Sequence, residues 1–266
     1  MAKRAMCVGI NDYPYEGNDL KGCVNDARAW AELLTTNFDF PASEVTLIED
    51  SEATKANLLA GLQNLFQEAQ AGDVLVFTNS SHGSYVTDTN TDEPKYDEII
   101  CPYDIEDSVL LDDELRNLFG AVPDGVHLTA ILDNCFSGTA TRALPSMPTP
   151  DERRIRFLNP QLRGDARLDD PWEAKSRRRE KHPQGSMKDV LLSGCTDKQY
   201  SYDALIDGTY HGAMTYHAIK AIRDANYSLT YSQLHQRLTD LLADTNYDQN
   251  PQLEGRAENK ERPIFS

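Results

Sequence analysis

The sequence has no paired cysteines at metal-binding or redox spacing. Its five cysteines, at 7, 23, 101, 135 and 195, are separated by 16, 78, 34 and 60 residues. That excludes CxxC chemistry and a zinc-finger framework, and an odd, scattered set points to free thiols. No run of about 18 apolar residues exists, which excludes a membrane-spanning helix. The start, MAKRAMCVGIND, is basic, but its apolar patch is too short for a secretory leader and reads as a first strand. The expectation is a cytosolic protein. Positive charge is also scarce: 26 Lys and Arg stand against 43 Asp and Glu, for a net charge of −17. So acidic a body repels phosphates and argues against nucleic-acid binding, while favouring basic ligands.

Strand and helix patterns alternate along the 266 residues, 39% of them hydrophobic, as expected of a globular chain. Short apolar runs at 5–11, 45–49, 73–78, 128–132 and 189–193 read as strands, and a further one is expected within 251–265. Helical periodicity covers 25–38, 54–69, 112–122, 212–224 and 231–243, with Thr54 as a cap for the second. Repeated strand–helix units with near-continuous apolar strands predict an α/β protein. It has a mostly parallel sheet of about six strands, with helices on both faces. In such folds the sites gather at the carboxyl ends of the strands.

Residues 143–187 break the pattern. They hold six prolines and the run SRRRE, and residues 142–188 carry 12 Lys and Arg against 7 Asp and Glu. A stretch of that length and composition is expected to be an exposed, flexible basic linker, open to proteolysis. It divides the chain into 1–142 and 188–266.

Two chemically able side chains fall just after strands. His82 follows the 73–78 strand in NSSHGS, and Cys135 follows the 128–132 strand in ILDNCFSG. Parallel strands put both at one rim. A thiolate is the nucleophile of acyl transfer, and an imidazole takes its proton and returns it to the leaving amine. Gly83 and Gly138 allow main-chain N–H groups close to a substrate carbonyl, where they stabilise an oxyanion. A Cys-x5-Arg phosphate loop does not fit, because six residues separate Cys135 from Arg142.

The motifs GINDY, LKGCVNDA, SSHGS, YDEIICPYD, DDEL, DNCFSG and SGCTDKQYSYDA, in this order over nearly all of 5–225, resemble the type I metacaspases and bacterial orthocaspases, caspase-like cysteine peptidases. The resemblance implies a caspase-like fold built from a p20-like region over 1–142 and a p10-like region over 188–266. It implies Cys135 as nucleophile and His82 as general acid and base. The oxyanion donors are then the Gly83 and Cys135 main chain. It also implies that Asp26 and Asp133 line the pocket for the residue before the scissile bond, with Cys23 and Ser80 shaping the cleft. Two carboxylates there favour cleavage after Arg or Lys and oppose an acidic residue. Calcium activation is the further implication, at Asp97, Asp112 and Asp113. Chemistry at the cleft needs no cofactor. A peptidase of that specificity could cut its own linker, at Arg153, Arg154, Arg177, Arg178 or Arg179. The sequence departs from the family pattern at Ser81, Phe136 and Arg142, where Gly, His and Asp are usual. The competing readings are a non-catalytic adaptor of the same fold and a peptidase with a non-basic preference.

Overall fold

The computed structural model describes residues 1–87, 96–135, 153–160, 187–195, 199–245 and 247–266. Strand β1 (Lys3–Gly9) leads to helix α1 (Cys23–Asn37), β2 (Val45–Glu49) and α2 (Lys55–Phe66). Then come β3 (Val74–Ser80), a hairpin of β4 (Gly83–Thr87) and β5 (Tyr96–Ile100), β6 (Leu110–Leu111), α3 (Asp112–Gly120) and β7 (His127–Asp133). The remainder is β8 (Arg153–Ile155), β9 (Val190–Ser193), β10 (Tyr202–Ile206), β11 (Thr209–Gly212), α4 (Ala213–Asp224), α5 (Tyr231–Ala243), β12 (Gln252–Glu254) and α6 (Ala257–Lys260).

The six-stranded sheet has the order β12-β9-β7-β3-β1-β2, parallel except for β12. Its apolar strands are buried on both faces, and the period of two sorts their side chains. Ala5 and Cys7 of β1 and Val74 and Val76 of β3 pack on one side with Trp30 and Leu34 of α1, Met214 and Ile222 of α4 and Leu238 of α5. Met6, Val8, Leu75 and Phe77 pack on the other with Leu58 and Leu62 of α2 and Leu115 and Phe119 of α3. The α2 helix starts where expected: the Thr54 hydroxyl accepts the Asn57 N–H at 3.3 Å.

Two small antiparallel sheets, β11-β10-β8 and β4-β5-β6, sit at the carboxyl rim of the large one. Neither was foreseen. Residues 153–160, expected to be part of a flexible linker, form β8 and a docked extension in which Arg156, Leu158 and Pro160 are buried. No described helix is long and apolar enough to cross a membrane.

Candidate active site

Strands β3 and β7 are neighbours in register, Ser80 opposite Asp133. The chain leaves both at the same rim, so His82 and Cys135 follow side by side. Gly83 lies against the Cys135 main chain so tightly that a Cβ there would sit 2.2 Å from the Cys135 carbonyl oxygen. Only glycine fits. The N–H groups of Gly83 and Cys135 converge on one acceptor, the carbonyl oxygen of Arg156, at 3.0 and 3.2 Å.

The His82 ring is buried against Tyr13, ring centroids 4.8 Å apart. Its Nε2 lies 2.7 Å from the Asn18 carbonyl, which can only accept, so Nε2 carries the hydrogen. Nδ1 is left to take a proton, and it is buried without a hydrogen-bond partner among the described residues. Burial pushes the His82 pKa down to about 4, the Asn18 carbonyl opposes this, and the Arg156 charge adds to it. The Tyr13 hydroxyl accepts the His82 N–H at 3.0 Å and donates to the Cys101 carbonyl at 3.1 Å, fixing the turn that carries the ring. The Cys135 thiol donates to the Gln199 carbonyl at 3.2 Å, and Cys195 Sγ approaches the same oxygen at 3.4 Å.

Beside this pair is an acidic pocket, filled by the Arg156 side chain. Its guanidinium is fully buried. It donates to Asp26 Oδ2 at 2.7 Å, Asp203 Oδ1 at 3.2 Å, Ser80 Oγ at 2.9 Å and the Asp133 carbonyl at 3.0 Å, with Asp133 Oδ2 at 3.3 Å. Burying a lone guanidinium is costly; three carboxylates and a hydroxyl offset it. The carboxylates are themselves held. Asp26 accepts the Gly212 N–H at 2.9 Å and the Ser80 hydroxyl at 2.8 Å. Asp133 accepts the N–H and hydroxyl of Thr215, at 3.0 and 2.8 Å, and the Ser201 hydroxyl. Asp203 accepts the N–H groups of Lys21 and Gly22 at 2.8 and 2.9 Å; burial pushes its carboxyl above the usual range, against the pull of Arg156. Gly212 leaves the room: a Cβ there would lie 2.2 Å from Asp133 Oδ2 and 2.5 Å from Arg156 Nη1.

Of the residues expected at the site, Cys135, His82, Gly83, Asp26, Asp133 and Ser80 are brought together. Cys23 is buried in the core facing α2, and burial pushes its thiol well up. Asp26 sits in the first turn of α1, as a helix acid would, yet it is fully buried and turned to Arg156. Arg153 and Arg154 belong to β8. Gly138, Phe136, Arg142 and Arg177, Arg178 and Arg179 lie outside the described residues. Asp203 and Arg156 were missed. Asp203 stands in the motif SGCTDKQYSYDA, which was its one signal; Arg156 was one arginine among many in a basic stretch.

Asp112 and Asp113 open α3, both paired with Arg116, the first at 2.8 Å. Asp97 is buried on β5, whose Ile99 pairs with Leu111 just before α3. Arg116 thus occupies one oxygen of each of Asp112 and Asp113. The described residues contain no group of three or more His, Cys, Asp or Glu side chains arranged to hold a metal ion.

This fold is that of the caspases: the chain superposes on caspase-1 of Spodoptera frugiperda with a TM-score of 0.58 at 10% identity, covering 95% of this chain and 86% of that one. A crystal structure of a Geobacter sulfurreducens protein is similar at a TM-score of 0.73 and 25% identity, covering 100% of this chain and 99% of the other. Within that class, residues 3–144 match the metacaspase, peptidase C14 domain. Metacaspase-1A of Aspergillus clavatus is 33% identical over 94% of this chain and 65% of its own length. Metacaspase-1A of Aspergillus terreus is 33% identical over 94% of this chain and 70% of its own. The chain belongs to the metacaspase family of peptidases, and spans about two thirds of the length of these relatives.

Proposed function

We propose that this chain is a cysteine endopeptidase that cleaves proteins after Arg or Lys through the Cys135–His82 pair. One observation carries the reading. An arginine occupies the pocket of Asp26, Asp133 and Asp203 while its own carbonyl oxygen meets the N–H groups of Gly83 and Cys135. That is the pose a substrate needs, its side chain read by charge and its scissile carbonyl held where an oxyanion will form.

The chemistry follows from the groups present. His82, neutral at pH 7 with its pKa near 4, takes the Cys135 proton. The sulfur attacks the carbonyl carbon, and the two N–H donors stabilise the developing oxyanion. His82 then gives the proton to the leaving amine, and water hydrolyses the thioester. Arg is preferred to Lys, since the planar fork of a guanidinium reaches more of these oxygens at once than an ammonium does. Acidic side chains are repelled. Calcium enters as an expected activator at Asp97, Asp112 and Asp113, in competition with Arg116.

Two fluorogenic peptides differing only in Arg or Asp before the cleaved bond test the reading. Wild type is expected to turn over the Arg peptide alone, and Cys135→Ala neither. Equal rates on both peptides would sink the specificity; Cys135→Ala activity equal to wild type would sink the mechanism.

A further inference from the structure

We infer that residues 153–158 are this chain's own first substrate, seated in its own cleft, and that Arg156–Phe157 is the bond it cuts. The inference rests on the peptidase reading above and adds the bond, the subsites and the order of events.

The strap is gripped by two different walls. Up to Arg156 it is a strand added to β10, antiparallel, with Arg153, Arg154 and Ile155 opposite Ala204, Asp203 and Tyr202. Arg156 continues this wall, donating its N–H to the Ser201 carbonyl at 2.9 Å. After Arg156 the chain crosses to β4. Phe157 bridges Gly83, and the Leu158 N–H donates to the Gly83 carbonyl at 3.0 Å. The Ser84 hydroxyl donates to the Leu158 carbonyl at 2.7 Å. Phe157 stacks on Tyr85, centroids 6.0 Å apart, and Leu158 is fully buried. Strand addition to an exposed edge is a general mode of peptide capture. Here the two grips meet at one peptide bond, and its carbonyl is the one held by Gly83 and Cys135.

The neighbouring arginines are excluded by the same contacts. The Arg153 guanidinium lies over the Tyr202 ring at 5.6 Å. That of Arg154 reaches the Asp19 and Gly17 carbonyls at 2.5 and 3.4 Å, away from the acidic pocket. A surface loop has no reason to bury a charge; a substrate of a basic-specific peptidase does.

The step balances without a co-reactant other than water. Cys135 Sγ bonds to the Arg156 carbonyl carbon and its proton passes to His82. The bond to the Phe157 nitrogen breaks, and that nitrogen takes the proton as a new amino terminus. Water hydrolyses the thioester, leaving an Arg156 carboxylate and a restored thiol. Until then the strap fills the pocket, so self-cleavage precedes turnover of other proteins. A tethered ligand has an effective concentration on the order of mM, which outside substrates must beat.

The test follows the full chain by intact mass and N-terminal sequencing, beside hydrolysis of the Arg peptide, with and without calcium. Wild type is expected to yield a fragment beginning Phe157-Leu158-Asn159, at a fractional rate unchanged by dilution. Cys135→Ala and Arg156→Gln stay whole. Because Arg156→Gln leaves buried carboxylates unpaired, Phe157→Pro serves as the second variant. It keeps Arg156, removes no hydrogen bond described above, and makes the bond a tertiary amide. It is expected to stay whole and to hydrolyse the Arg peptide at least about tenfold more slowly than cut wild type. Wild type cut elsewhere with Arg156–Phe157 intact would overturn the inference and leave the peptidase standing. So would brisk Arg-peptide turnover by a chain that never cuts itself, or a self-cleavage rate that rises with concentration. Failure on both the chain and the peptide would take down both readings.

Discussion

Ser80 and Asp133 face each other across the β3–β7 ladder. The two strands end there together, and His82 and Cys135 each lie two residues further on. One register thus places His82, Cys135, Ser80 and Asp133 at a single rim. It also forces Gly83 against the Cys135 main chain. Gly83→Ala is expected to push the two N–H donors apart and lower kcat by roughly 10²–10³-fold, the usual cost of a lost oxyanion donor. Steady-state kinetics on the Arg peptide, with thermal melting as a check on folding, decides it. Unchanged kcat in a folded variant would mean that this pair of donors is not used.

Asp203 comes from β10, more than a hundred residues from Asp26, and completes the acidic pocket. Asp203→Asn is expected to lower kcat/KM for an Arg substrate by about 10²-fold, near 3 kcal/mol, the scale of a broken buried ion pair. The loss for a Lys substrate should be smaller, because an ammonium reaches fewer of the acceptors. Equal kinetics for wild type and variant would remove Asp203 from the specificity pocket.

His82 makes stability depend on pH. Its pKa is about 4 in the folded protein against 6.5 for the free side chain. Between those values the unfolded chain binds a proton that the folded one refuses. Stability therefore falls as pH drops from about 6.5 towards 4, by roughly 3 kcal/mol in full. Urea unfolding of Cys135→Ala, which stays uncut, should lose more stability between pH 7 and 4.5 than Cys135→Ala with His82→Gln. The expected excess is roughly 2–3 kcal/mol. Parallel losses would contradict a buried, neutral imidazole.

Arg116 pairs with Asp112 and Asp113, where calcium is expected to act. Arg116→Gln removes that competitor and should lower the calcium concentration for half-maximal activity by about tenfold, a scale of one charge contact. A calcium titration of self-cleavage reads it directly. The same midpoint in both proteins would move the calcium site elsewhere.

The central sheet was legible because its strands are apolar runs of ordinary length between amphipathic helices. The gathering of Cys135, His82, Asp26 and Asp133 into one candidate site was legible because they end or closely follow those strands, or open a helix, in family motifs. The small sheets were not. Strand β8 is Arg-Arg-Ile, with no alternation to betray it, and its partner β10 lies more than 40 residues on. Arg156 ran against the rule that arginines stay at the surface, a rule that yields when three carboxylates wait inside. Asp203 looked like one more acid in an acidic chain.

The most direct test of the account is covalent capture. A peptide chloromethyl ketone ending in Arg, and its twin ending in Asp, would be incubated with self-cleaved wild type and with Asp26→Asn, and the adducts mapped by mass spectrometry. The account predicts a single adduct, on Cys135, from the Arg reagent only, formed far more slowly in Asp26→Asn. Labelling of Cys195 instead of Cys135, or equal labelling by both reagents, would contradict it.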